Sequence, residues 1–157
     1  MTWTHARSAA AGLLLAATLG AAAGPSHSSQ QAEITVYKSR LCGCCNGWVE
    51  HMRARGFQVT VVESSTPERL RIQERYGVPY TLNSCHTSVT GKYIVQGHVP
   101  AEYVQRLLAD QPDIAGIAVA GMPAGSPGME SDDPRPFDVV AVGKDTTWVY
   151  ARHEPRR

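Results

Sequence analysis

The sequence predicts an α/β fold, a small mixed sheet with flanking helices, and three observations carry that expectation. Two β-branched runs, Glu33–Tyr37 and Gln58–Glu63, flank a segment, Cys45–Arg55, in which Trp48, Val49 and Met52 recur at helical spacing. A strand–helix–strand unit of that kind requires a parallel pair. Further on, two short runs separated by Thr90-Gly91 read as an antiparallel hairpin, followed by a helix over Pro100–Asp110 with Val104, Leu107 and Leu108 on one face.

Each element has a local reason. Gly56 closes the first helix. Thr66 and Pro67 open the second, which ends at Tyr76-Gly77. Val78-Pro79-Tyr80-Thr81 leads into a third strand reaching about Cys85, and Lys92–Gln96 forms the fourth. Ile114–Glu130 holds too much glycine and proline for a helix or a central strand, and reads as a long loop carrying Met122 and Met129. Phe137–Val142 and Thr147–Ala151 form a final hairpin around Gly143-Lys144-Asp145.

At 157 residues the chain has room for one domain. With 43% hydrophobic and 18% charged residues it sustains a packed core, which excludes wholesale disorder. A net charge of +1 and only 7% aromatics argue against a nucleic-acid partner. The uncharged run Ala9–Ala23, ending in Ala21-Ala22-Ala23, reads as a signal peptide over 1–23. It is shorter than the ~20 residues that span a bilayer, so no membrane association is expected after cleavage. Residues 24–32 read as a flexible lead-in, 33–151 as the single domain and 152–157 as a frayed tail. Export places the cysteines in an oxidising compartment, where disulfides form.

The chemistry concentrates in Cys42-Gly43-Cys44-Cys45, between a strand and a helix start. Amide groups and the helix dipole favour thiolates there. Neighbouring Cα atoms are ~3.8 Å apart and unstrained disulfides want ~4.4–6.8 Å, so Cys44 and Cys45 should not pair. Cys42 and Cys45 hold a C-x-x-C spacing; Cys44 would then need Cys85, a metal or freedom. Two disulfides acting as staples, a C-x-x-C redox pair and a metal site are the alternatives, with the metal site favoured. Cys85, His86, His98, Met122 and Met129 add thiolate, imidazole and thioether donors, a soft set that suits Cu(I). Zinc has little use for methionine. Strand alternation would send Cys85 and His86 to opposite faces unless the strand breaks there. His51 reads as solvated, and His153 as part of a flexible end.

Two resemblances enter at these residues. Cys42-Gly43-Cys44-Cys45 and Gly77-Val78-Pro79 resemble the C-G-x-C turn and Gly-Ile/Val-Pro of the thioredoxin fold, over roughly Glu33–Asp110. That resemblance implies a cis Val78–Pro79 bond facing the turn. More closely, the cysteine turn with Trp48, Leu82–Thr87, Gly97-His98-Val99-Pro100 and Gly121–Glu130 resemble the CopG-like periplasmic metal-binding family. That family was long catalogued as a domain of unknown function and is associated with bacterial copper resistance.

The resemblance implies a thioredoxin-like domain with a C-terminal Gly/Pro/Met loop and β-hairpin. It would bind copper as Cu(I) through Cys42, Cys44, Cys45 and Cys85, with His98, Met122 and Met129 as further ligands or lid residues and His86 a weaker candidate. The role would be copper sequestration, with a redox step open. An alternative is a thiol-disulfide oxidoreductase with Cys42 as nucleophile and Cys45 as resolving thiol. A third is a copper chaperone serving a periplasmic export or oxidase system.

Overall fold

The computed structural model describes Met1 and residues 31–155. Apart from Met1, the expected signal segment and nearly all of the lead-in lie outside the described residues. The chain forms β1 (Glu33–Lys38), α1 (Gly43–Ala54), β2 (Gln58–Glu63) and α2 (Thr66–Arg75). A 3-10 turn over Tyr80–Leu82 follows, then β3 (His86–Thr90), β4 (Tyr93–Gln96), α3 (Ala101–Asp110), β5 (Gly116–Ala118), β6 (Phe137–Val142) and β7 (Thr147–His153). The seven strands make one sheet in the order β2-β1-β3-β4-β5-β6-β7. β1 with β2 and β4 with β5 are parallel; the other neighbours are antiparallel. This is the thioredoxin-like mixed α/β fold that the sequence predicts.

Period-two alternation in β1 buries Ile34, Val36 and Lys38 on one face. Against that face α1 lays Trp48, Val49 and Met52, and α3 adds Val104 and Leu107. Trp48 is fully buried, and its indole N–H donates to the Val99 carbonyl at 2.8 Å. Full burial of such a side chain contributes roughly 1.5–3 kcal/mol, and the hydrogen bond removes the penalty for taking the N–H out of water. On the opposite face a smaller apolar group forms from Val78, Leu82, Ile94, Ala118 and Val142.

Several expectations need correction. The N-cap of α2 is Ser65 rather than Thr66, because Glu68 reaches back to the Ser65 amide and hydroxyl, each at 2.6 Å. The third strand begins at His86, since Tyr80–Leu82 turns instead of extending. No peptide bond is cis among the described residues, so Val78–Pro79 is trans. Pro79 is exposed ahead of that turn, and Cys85 takes the place opposite the cysteine turn. The Gly/Pro-rich segment does contribute a central strand, β5, held between β4 and β6. β7 runs on through His153, which pairs in register with Phe137, so the tail is ordered to that point.

Candidate metal centre

β1 delivers the chain to a tight turn, and α1 starts at Gly43 with Cys42 as its N-cap. No side chain caps this helix end, which leaves its first amide groups facing the sulfur atoms and favours negative charge there. Cys42 and Cys45 are joined by a disulfide, their Cα atoms 5.3 Å apart; Cys44 and Cys85 are free thiols. Cys85 comes from the loop just before β3, so it escapes strand alternation and reaches the turn. Its Sγ lies 3.3 Å from Cys45 Sγ and 3.7 Å from Cys44 Sγ, and Cys44 Sγ lies 3.5 Å from Cys42 Sγ. All four sulfurs fall within 4.8 Å of one another.

Imidazoles extend the set inward. His98 Nε2 is 2.9 Å from Cys85 Sγ, while His98 Nδ1 is 2.8 Å from the Pro127 carbonyl. A carbonyl only accepts, so Nδ1 carries the proton and Nε2 presents its lone pair to the thiol. His86 Nδ1 is 3.5 Å from Cys85 Sγ, and its ring stands edge-on to His98 at 4.9 Å and against Trp48 at 4.5 Å. Its Nε2 is buried without a hydrogen-bond partner among the described residues. Burial pushes the pKa of His98 down and that of His86 well down, keeping both neutral. The Cys85 thiol is pushed up to about 12, first by burial and then by the neighbouring Cys44. In the absence of a bound cation Cys85 therefore stays a protonated thiol.

The Met loop lies over the turn. Met122 Sδ is 3.9 Å from Cys44 Sγ, and the Met122 side chain is half exposed. Gly128 seats directly on α1: a Cβ on Gly47 would meet Gly128 Cα at 2.8 Å, and a Cβ on Gly128 would strike the Cys44 carbonyl and the Trp48 amide. Met129 contributes through its main chain, which closes the loop with bonds to Ser126 and Gly125 at 2.8 and 2.7 Å. Among the described residues no hydrogen bond joins the Met129 sulfur to the thiols. The geometry therefore gathers Cys42, Cys44, Cys45, Cys85, His98 and Met122, places His86 behind Cys85, and gives Met129 a loop-closing position.

Two solved structures titled copper resistance protein CopG, Form 1 and Form 2, match at 38% identity. They cover 81% and 80% of this chain and 100% of their own, with TM-scores of 0.73 and 0.72. The chain belongs to the CopG copper-resistance family. A family model described as a protein of unknown function, DUF411, matches residues 82–129. That span takes in Cys85, His86, His98, Met122 and Met129 but not the cysteine turn. Comparison with curated proteins yields no match.

In this CopG-family chain three residues support the site through contacts that no spacing in the sequence announces. His51 is not solvated: its Nε2 accepts the Ala101 amide at 3.0 Å and caps α3, whose N-cap Pro100 has no side chain to do so. Glu130 Oε1 accepts the Gly128 amide at 2.9 Å and holds the loop where it meets α1. Ser84 Oγ donates to the Gly121 carbonyl and ties the Cys85 loop to the segment before Met122. Their partners are distant in sequence or are backbone groups, so only the fold reveals them.

Proposed function

We propose that this protein binds copper as Cu(I) in the periplasm and serves copper sequestration in metal resistance. The observation that carries the reading is the meeting of four cysteine sulfurs within 4.8 Å of one another, with a neutral imidazole and a thioether at the rim. Thiolate, thioether and imidazole are the donors Cu(I) prefers, and no carboxylate competes in the set. Cys42, Cys44, Cys45 and Cys85 would hold the ion, with His98 and Met122 as further donors and His86 and Met129 in supporting places. The named neighbours are copper-resistance proteins, which supports the metal's identity. Bound copper would supply a soft Lewis acid able to change oxidation state.

The chain's own residues set the conditions. Cys42 and Cys45 become donors only after their disulfide is reduced. The Pro127 carbonyl fixes the His98 tautomer, and Met122 of the loop partly covers the Cys44 sulfur. The test is anaerobic reconstitution of the reduced protein with Cu(I), counting metal and free thiols on one sample. Copper uptake that protects the thiols from alkylation is expected; a protein that stays metal-free overturns the reading.

One observation favours a second reading, a thiol-disulfide oxidoreductase: a C-x-x-C disulfide at a strand-to-helix turn, with the free thiol of Cys85 3.3 Å from Cys45. Such an enzyme purifies metal-free and reduces a model disulfide. Transfer of the ion to an export or oxidase partner would be a further use of the same site.

A further inference from the structure

Lys38 is the last residue of β1 and only 4% exposed. It shares its face with Ile34 and Val36, under α1. Its Nζ donates to the Ser39 carbonyl at 2.9 Å, and the same oxygen accepts the Cys42 amide at 3.2 Å. Two donors on one oxygen place the ammonium beside the start of the cysteine turn. In the sheet Lys38 sits directly opposite His86, whose Nδ1 lies 3.5 Å from Cys85 Sγ.

A buried cation is expensive unless an opposite charge meets it. Lys38 forms no ion pair among the described residues. The carboxylate beside it in register, Glu63, is 63% exposed and pairs instead with Arg40 at 3.3 Å. One carbonyl therefore serves an ammonium with three donor protons. The main chain of Lys38 is fixed on both sides, paired to β2 and β3, and its carbonyl takes the Ser64 amide at 2.9 Å. The charge is thus held in place with no carboxylate paired to it among the described residues, while the cysteines are a disulfide and two thiols. A Cu(I) ion held by two or more thiolates leaves net negative charge on the sulfur set, which is the charge missing from this arrangement.

We propose that Lys38 is the built-in counter-charge of the sulfur site, a positioning residue that favours the thiolate–metal state over the metal-free one. The proposal rests on the Cu(I) reading and adds to it the residue that balances the site. It also reverses the usual expectation for a buried residue: Lys38 destabilises the metal-free domain and strengthens the loaded one.

The test uses the reduced full chain as wild type, Lys38→Met, Lys38→Gln and Lys38→Arg. Cu(I) affinity is measured by competition against a chelator, and thermal unfolding is measured without metal. Lys38→Met keeps the stem's volume and loses the charge, so its affinity should fall roughly ten- to hundredfold. Its metal-free melting temperature should stay level or rise. Lys38→Gln should follow it in affinity, and Lys38→Arg should bind within about threefold of wild type. Wild-type affinity in both neutral variants overturns the proposal. So does a fall in affinity that comes with a lower metal-free melting temperature in both, because that is the signature of packing alone. A wild-type protein that takes up no Cu(I) ends the copper reading and this proposal together; unchanged neutral variants end only the latter.

Discussion

Gly128→Ala tests whether the Met loop is seated on the metal-binding turn or merely near it. Gly128 has φ +83, in the left-handed region. Placing Ala there costs about 1–2 kcal/mol in torsion alone. The new methyl would also press on the Cys44 carbonyl and lie 2.7 Å from the Trp48 amide. Both are backbone atoms of the first two turns of α1, and Trp48 is locked in the core, so neither yields as a flexible side chain would. Overpacking of this kind adds typically 1–3 kcal/mol. The total is about 2–5 kcal/mol, so the loop should lift and free Pro127 from His98 and Met122 from Cys44. Gly121→Ala is the control: φ is +64 there but nothing lies within 4 Å of an added Cβ, leaving only a torsional loss of about 1 kcal/mol. Urea unfolding of both variants, with Cu(I) competition in parallel, gives the comparison. Equal destabilisation by the two substitutions, or Gly128→Ala within about 0.5 kcal/mol of wild type, would refute the seating.

Three further outcomes are expected. Cys44→Ser should weaken Cu(I) binding strongly while leaving thiol-disulfide exchange through Cys42 and Cys45 largely intact, as read by chelator competition beside reduction of a model disulfide; wild-type copper affinity would hand the site to the oxidoreductase reading. Met122→Leu should lower Cu(I) affinity by removing the sulfur 3.9 Å from Cys44, whereas Met129→Leu should change it little, and both should keep the fold. Burial, then Arg55, lowers the His51 pKa below its ordinary 6.5. The unfolded chain takes up a proton near that pH and the folded one resists it, so stability is full above pH 6.5 and falls as the pH drops below it. His86, His98 and His153 are depressed in the same direction. His51→Gln should therefore flatten the urea midpoint's pH slope in part, and an unchanged slope would show that the fold does not depress the His51 pKa.

The first half of the fold is legible because its signals are local. Trp48, Val49 and Met52 mark the inner face of α1, and the two β-branched runs mark β1 and β2. β5 is illegible for the opposite reason. Gly116-Ile117-Ala118 has no pattern of its own and becomes a strand only by lying between β4 and β6. Gly116 passes so close to Ile94 that a Cβ would strike its carbonyl, a requirement visible only once both strands are in place. The four cysteines are legible as a soft cluster, but their pairing is not: C-x-x-C spacing permits the Cys42–Cys45 bond without requiring it. Cys85 and His86 sit side by side in sequence, and whether both reach one site depends on where β3 begins, one residue from the alternation that would separate them. Nothing in the sequence singles out Lys38, since only the sheet register shows it facing inward.

The Cys42–Cys45 bond sets metal binding and oxidation in competition for the same two sulfurs. On the proposed reading, a disulfide removes two donors, so the domain loads metal only as far as its surroundings reduce it. Mass action runs the other way as well. Metal that binds the dithiol and not the disulfide shifts the couple toward the dithiol, by about 30 mV for each tenfold excess of free ion over its dissociation constant. An exported domain of this design would respond to metal and oxidant jointly, filling when copper is abundant and reductant reaches it, and emptying when the sulfurs are oxidised back to one another.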